Sequence, residues 1–225
     1  MKDIVADNIR NVVSQNFNGR LACSCKNIST ICESLFPDEA RSIQNSVARR
    51  KKEFAVGRSC ARSALSNLNF PPCAIPVGES HEPIWPKKIT GSISHDGDYC
   101  VAVAAFVHDI RLIGIDLAKS EPLDKNLIEL ICTPEDISNV NKYGEHNYIA
   151  DPYKAIFSVK ESIFKSLFPV VGCYFDFGDV SVKLKLDGTA LIELKNDELF
   201  AHLRPKLKAR YYLIQTYIFS IVWSI

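Results

Sequence analysis

The sequence predicts a mixed α+β fold, and three observations carry that expectation. Between Pro37 and Leu68, Val47, Phe54, Ala61 and Leu68 recur at seven-residue spacing, which lays one apolar stripe along a helix. Three short β-branched and apolar runs follow, Thr90 to Ser94, Tyr99 to Val107 and Leu112 to Leu117, separated by the turn-prone His95-Asp96-Gly97-Asp98 and His108-Asp109. The last third of the chain again reads as strands. Strands thus occur in both halves, with one long helix in each.

In order along the chain, residues 1–36 mix short apolar pieces with polar turns and show no clear period. The helical pattern from Pro37 stops at Pro71-Pro72, and a Pro- and Gly-rich loop runs from Pro76 to Pro86. After the three strands, Thr133-Pro134-Glu135-Asp136 reads as a helix start, with Thr133 as cap and Pro134 at the first helical position. Asp151-Pro152 repeats that signature ahead of a helix from Tyr153 to Phe168. Val180 to Leu186, an Asp187-Gly188 turn, Thr189 to Leu194, and Tyr211 to Trp223 supply the final strands.

Composition sets outer limits. The chain of 225 residues can bury a substantial core, and 47% apolar with 24% charged residues is ordinary for a globular protein. A net charge of +1 gives no electrostatic footprint for nucleic acid. No apolar run approaches the ~20 residues that span a bilayer. The opening Met1 to Asp7 lacks the uninterrupted apolar stretch of a secretory signal, so a cytoplasmic protein is expected. The eight cysteines contain no CxxC pair, which argues against zinc, and Cys60, Cys100 and Cys132 read as small buried hydrophobes. Cys23-Ser24-Cys25 is the only close pair.

The candidates for chemistry lie in the middle of the chain. In Phe157-Ser158-Val159-Lys160-Glu161-Ser162-Ile163-Phe164-Lys165, Glu161 and Lys165 stand four residues apart and can converge on one ligand. The same residues also allow a capping box, Ser158-x-x-Glu161, or a solvated ion pair. Asp116 ends an apolar strand, where a carboxylate reaches the rim of a sheet or simply serves a turn. Ser94-His95 sits at another strand end, able to donate to phosphate oxygens or to make local turn bonds. Arg49-Arg50-Lys51-Lys52, Arg58 and Arg62 share one helix; Lys51 and Lys52 are assigned to its solvated face. Two carboxylates beside a lysine suit a divalent metal that holds a phosphorylated ligand.

Five segments together resemble the Sfp-type 4′-phosphopantetheinyl transferases, in particular the enterobactin synthase component D branch. They are Arg50-Lys51-Lys52-Glu53-Phe54-x-x-Gly57-Arg58-x-x-Ala61-x-x-Ala64-Leu65, Pro83-Ile84-Trp85-Pro86, Gly91-Ser92-Ile93-Ser94-His95, Ile113-Gly114-Ile115-Asp116, and Phe157-Ser158-x-Lys160-Glu161-Ser162-x-x-Lys165. The resemblance covers roughly residues 40 to 170. It implies one domain over 1–225, built as a pseudo-twofold pair of α/β halves at about 1–112 and 113–225 with a ligand cleft between them. It further implies transfer of phosphopantetheine from coenzyme A to a serine of an apo acyl or peptidyl carrier protein, releasing 3′,5′-ADP. By position, Arg50 and Arg58 would meet the adenosine phosphates, Val77-Gly78-Glu79-Ser80 would line the adenine, and Ser94 and His95 would hold phosphate oxygens. Asp116 and Glu161 would ligate Mg²⁺, with Mn²⁺ as the other candidate, Lys165 would bind the pyrophosphate, and Lys160 completes the catalytic motif. A monomer acting in siderophore, nonribosomal peptide or polyketide assembly is expected.

One position departs from the pattern. Many relatives read Gly-x-Asp-x-Glu at the metal strand, and here Gly114-Ile115-Asp116-Leu117-Ala118 puts a methyl group in place of the second acid. A coenzyme A-binding relative with little or no catalysis, serving as a sensor or assembly partner, is the alternative that Ala118 admits.

Overall fold

A computed structural model describes residues 3–30, 34–200 and 206–225, and divides the chain into two compact units, Met1–Arg111 and Leu112–Ile225. The expected α+β class is present in both, since each is an antiparallel sheet backed by helices.

The first unit holds α1 (Ile4–Phe17), β1 (Ala22–Asn27), α2 (Pro37–Ser42), α3 (Ala48–Asn67), β2 (Ile89–Asp96) and β3 (Tyr99–Phe106), with sheet order β1-β3-β2. Its amino-terminal segment corrects the reading of residues 1–36 as aperiodic. Val5, Ile9, Val13 and Phe17 are buried at four-residue spacing, Asp3 caps α1 by accepting from the Ala6 amide, and Asn18 closes it at φ 48°. The buried stripe is narrow, and the exposed Ile4 beside it blurs its period. The helical pattern from Pro37 to Leu68 is also broken in two. Val47 is 74% exposed and starts α3 from outside, so it does not belong to the stripe. Val56, Cys60, Ala61, Ala64 and Leu65 of α3 pack on Cys100, Ala102 and Ala104 of β3.

The second unit holds β4 (Leu112–Lys119), α4 (Lys125–Ile131), α5 (Pro134–Tyr143), α6 (Pro152–Val171), β5 (Val180–Leu184), β6 (Thr189–Leu194), the single-turn α7 (Asp197–Phe200), β7 (Lys208–Ile214) and β8 (Tyr217–Ser224). Its sheet order is β4-β8-β7-β6-β5, antiparallel throughout. The run from Tyr211 to Trp223 is therefore not one strand but parts of two. Gln215, at φ 56°, turns the chain, and Ile214 pairs with Tyr217 across the two-residue loop. Ile156, Val159, Ile163 and Leu167 of α6 are buried in a core with Val182, Tyr211, Ile218 and Val222. Thr133 and Asp136 form the cap of α5, and Asp151 caps α6.

No helix among the described residues is long and apolar enough to cross a membrane. Cys60, Cys100 and Cys132 are buried as expected, Cys23 and Cys25 are free buried thiols on β1, and Cys32 lies outside the described residues. Burial pushes the Cys23 and Cys132 thiols up to about 12. Both are expected to stay unlabelled by iodoacetamide at pH 8 in the folded protein and to label fully in urea, as peptide mass mapping would read.

Candidate functional site

In the second unit the sequence folds so that β4 and α6 touch backbone to backbone. A Cβ on Gly114 would stand 1.9 Å from the Ser162 carbonyl oxygen and 2.6 Å from the Ser166 nitrogen, so only glycine permits this approach. Two residues further, on the same face of the strand, Asp116 meets the helix directly. Its Oδ1 accepts from Lys165 Nζ at 2.7 Å and its Oδ2 from Ser158 Oγ at 3.0 Å. Ser158 and Ser162 each lie within 2.8 Å of Ser220 Oγ on β8, and Ser220 also donates to the Ser158 carbonyl. This buried hydroxyl cluster orients the Asp116 carboxylate. Replacing Gly114 by Ala is expected to push α6 off β4 and to destabilise the unit by about 1–3 kcal/mol, a loss visible as a lower urea midpoint.

Glu161 sits on α6 between these contacts and differs from Asp116 in one respect. It accepts no hydrogen bond from any described residue. Burial raises its pKa, Lys165 opposes that shift, and the Asp116 charge adds to it. The carboxylate faces a cavity of about 240 Å³ walled by Phe164, Tyr174, Phe175, Phe177 and Val180. Phe164 stacks on Tyr174 at 5.5 Å between centroids, so the walls are rigid aromatic faces. Lys165 is ion-paired with Asp116, and the charges of both act on Glu161. The capping-box reading of Ser158-x-x-Glu161 fails, because α6 starts at Pro152 and Ser158 is fully buried inside it. Of the apolar residues after Lys165, Phe168 is buried whereas Val170 and Tyr174 are 45% and 68% exposed.

Lys160 requires a correction to its expected place in the chemistry. Its Nζ lies 2.7 Å from Asp136 Oδ2 and donates to the carbonyls of Ile131 and Phe177 at 2.8 and 2.9 Å. Two backbone carbonyls accept from it, the Asp136 carboxylate balances its charge, and the side chain is 1% exposed. Asp136 in turn accepts from the amides of Thr133 and Val182. Lys160 and Asp136 therefore form a buried ion pair that ties together the segments beside the cavity. Sequence reasoning missed Asp136, whose capping-box spacing from Thr133 gave a sufficient local explanation. It also missed Ser158 as a partner of Asp116, although Ser158 lies three residues before Glu161 on the same helical face.

The first unit gathers a second set. Arg50 Nη1 lies 2.8 Å from His95 Nε2, with the guanidinium as the donor. Glu53 draws the group together, with Arg49 Nε at 2.9 Å and His95 Nδ1 at 3.8 Å. Arg58 is 6% exposed and anchors a loop by donating from Nε to the Ile75 carbonyl, while its guanidinium covers the Phe54 ring at 4.3 Å. Burial lowers its pKa to about 10, yet its two terminal nitrogens donate to no described residue. The loop of Val77, Gly78, Glu79 and Ser80 folds back through Glu82. The Gly78 amide donates to the Glu82 carbonyl and the Ser80 amide to its carboxylate. Glu82 carried no motif signal. Ser94 is buried in β2, its side chain on the opposite face from that of His95.

Residues 38–105 match the family model described as 4′-phosphopantetheinyl transferase N-terminal domain, and residues 112–222 match that of the 4′-phosphopantetheinyl transferase superfamily. The chain is 31% identical over 153 residues to 4′-phosphopantetheinyl transferase Svp of Streptomyces mobaraensis, covering 68% of this chain and 62% of Svp. It is 30% identical over 155 residues to 4′-phosphopantetheinyl transferase Npt of Nocardia iowensis, covering 68% of each. Against enterobactin synthase component D of Escherichia coli K12 it is 33% identical over 133 residues, which cover 55% of this chain and 58% of that protein. The matches therefore span about three-fifths to two-thirds of these curated relatives.

Proposed function

Because the chain belongs to the 4′-phosphopantetheinyl transferase superfamily, we propose that it moves the phosphopantetheine group of coenzyme A to a serine of an apo acyl or peptidyl carrier protein. The observation that carries this reading is Glu161, a half-buried carboxylate without a hydrogen-bond partner among the described residues, beside an Asp116–Lys165 pair and open to an aromatic cavity. In the reaction, the serine oxygen bonds to the phosphorus that carries pantetheine. The P–O bond to the adenosine phosphate breaks, and 3′,5′-ADP departs with the electron pair. Glu161 receives the serine proton, directly or through water, a role worth about 10²–10⁴-fold. Lys165 is assigned to the pyrophosphate, where its charge balances that of the leaving group. The aromatic cavity suits the uncharged pantetheine arm.

The donor set fits Mg²⁺. Asp116 and Glu161 are near enough for one charge to act on the other's proton equilibrium, and Mg²⁺ takes one or two carboxylates with phosphate and water. When bound there, the ion neutralises pyrophosphate charge. Among the described residues no cluster of three or more His, Cys, Asp or Glu residues could hold a metal, in keeping with the methyl group at position 118. Ala118 shares the strand face of Asp116, so Ala118→Glu is expected to lower the Mg²⁺ concentration needed for half-maximal transfer. An unchanged requirement would refute that role for the position.

In the first unit, the proposal assigns phosphate contacts to Arg50, Arg58 and His95. The Arg58 terminal nitrogens lack other partners among the described residues, and the loop that Arg58 anchors at Ile75 is assigned to the adenine. Ser94 is assigned a supporting place. The carriers are those of siderophore, nonribosomal peptide or polyketide assembly, and the reaction is placed in the cytoplasm by a chain acting as a monomer. The competing reading, a coenzyme A-binding relative without catalysis, draws on Ala118. Incubation with coenzyme A, Mg²⁺ and an apo carrier, followed by intact mass measurement of the carrier, separates the two. A metal-dependent gain of one phosphopantetheine establishes transfer, whereas coenzyme A binding without any gain on several carriers favours the competitor.

A further inference from the structure

A polar cavity of about 460 Å³ opens in the first unit against α3, lined by Lys26, Ser59, Arg62, Ser63, Ser66 and Asn67. Ser59 follows Arg50 by nine residues, or two and a half helical turns, so the cavity lies on the side of α3 opposite Arg50. Lys26, on the edge strand β1, donates from Nζ to Ser59 Oγ at 2.8 Å and to Ser63 Oγ at 2.9 Å.

The proton inventory of these groups is one-sided. An ammonium has three protons and accepts none. Two of those of Lys26 go to neutral hydroxyls, and no carboxylate of a described residue pairs with it. Each hydroxyl receives a proton from Lys26 and must turn its own elsewhere, yet neither Ser59 nor Ser63 donates to any described residue. Ser59 is only 6% exposed, so bulk water satisfies it poorly. Arg62, also 6% exposed, is matched by the buried Glu39 carboxylate at 2.9 Å, and that pair adds no net charge. What remains is one net positive charge and three donors from two elements.

We propose that this cavity binds a phosphate-class oxyanion, as the free ion or as the phosphoryl group of a small ester, held by Lys26, Ser59 and Ser63. A tetrahedral oxyanion presents several acceptor oxygens and a negative charge at once, which is what the three donors lack. A neutral ligand would leave the Lys26 charge unbalanced. No residue in the cavity takes part in the transfer chemistry proposed above, so the site stands whether or not that reading holds.

The test is a backbone-amide NMR titration of the full chain with sodium phosphate at constant ionic strength, balanced with sodium chloride, and a parallel titration with glycerol 3-phosphate. The expected result is saturable shifts at Lys26, Ser59 and Ser63, with a dissociation constant about tenfold weaker in Lys26→Met. Ser63→Ala, which keeps the charge and removes one donor, should also weaken binding and serves if the first variant does not fold. Saturation by phosphate alone assigns the free ion; saturation by both assigns the phosphoryl group. Shifts confined to the surroundings of Arg50 and His95, shifts that grow without saturating, or full affinity in Lys26→Met would overturn the proposal.

Discussion

Replacing Glu161 by Gln is expected to slow phosphopantetheine transfer by about 10²–10⁴-fold while raising the melting temperature of the metal-free protein at neutral pH. The two effects have one cause. Burial, reinforced by the Asp116 charge, raises the Glu161 pKa despite the opposing Lys165. A carboxyl raised in the folded state stabilises the protein below its ordinary, unfolded value, and that contribution is lost as pH rises through the raised folded value. At neutral pH the wild-type protein therefore carries an ionised, poorly solvated group. Gln keeps the shape and removes the charge, and since Glu161 accepts no hydrogen bond from a described residue, no bond is lost. Calorimetry of the metal-free protein should show the gain for Glu161→Gln, and added Mg²⁺ should stabilise the wild type more than the variant. Intact carrier mass supplies the rate. A variant that transfers at the wild-type rate would remove Glu161 from the chemistry.

The largest stability effect is expected at Lys160, one residue away. Lys160→Met should cost about 3–5 kcal/mol, read as a fall in the urea unfolding midpoint, because it leaves a buried charge without its partner. Asp136 is fully buried, accepts from two amides and is ion-paired with Lys160, and the carbonyls of Ile131 and Phe177 lose a donor in the same step. Lys165→Met provides the contrast. Its side chain is 28% exposed, and Asp116 keeps its bond to Ser158, so a smaller stability loss accompanies a loss of transfer. Equal stability costs at the two lysines would contradict the division between a buried strut and a ligand-facing cation.

These neighbouring residues mark where sequence reasoning stops. The run from Phe157 to Lys165 places Glu161 and Lys165 on one helical face by spacing alone, and the strand ending in Asp116 is legible from its apolar residues. Which lysine turns inward is not legible. That depends on Asp136, remote along the chain and disguised as a helix cap. Ser158 fits a capping box by pattern, but Asp151-Pro152 starts the helix earlier and the serine then serves Asp116. The fold shows the same limit. The largely apolar segment from Tyr211 to Trp223 conceals a hairpin, because Gln215 adopts a positive φ without being glycine. α1 is hidden because apolar residues off the stripe, such as Ile4 and Val12, blur its four-residue spacing.

By itself, the sequence determined the α+β class, the long helix of each half, the acid-terminated strand, and the Glu161–Lys165 pair, since all of these follow from local periodicity and residue chemistry. Tertiary structure alone decided that α6 presses on β4 through Gly114, that Lys160 is consumed by Asp136, and that Glu161 remains without a hydrogen-bond partner among the described residues. The physical reason is that burial and partner choice depend on distant segments meeting, and desolvation converts those meetings into large energies that spacing along the chain cannot encode.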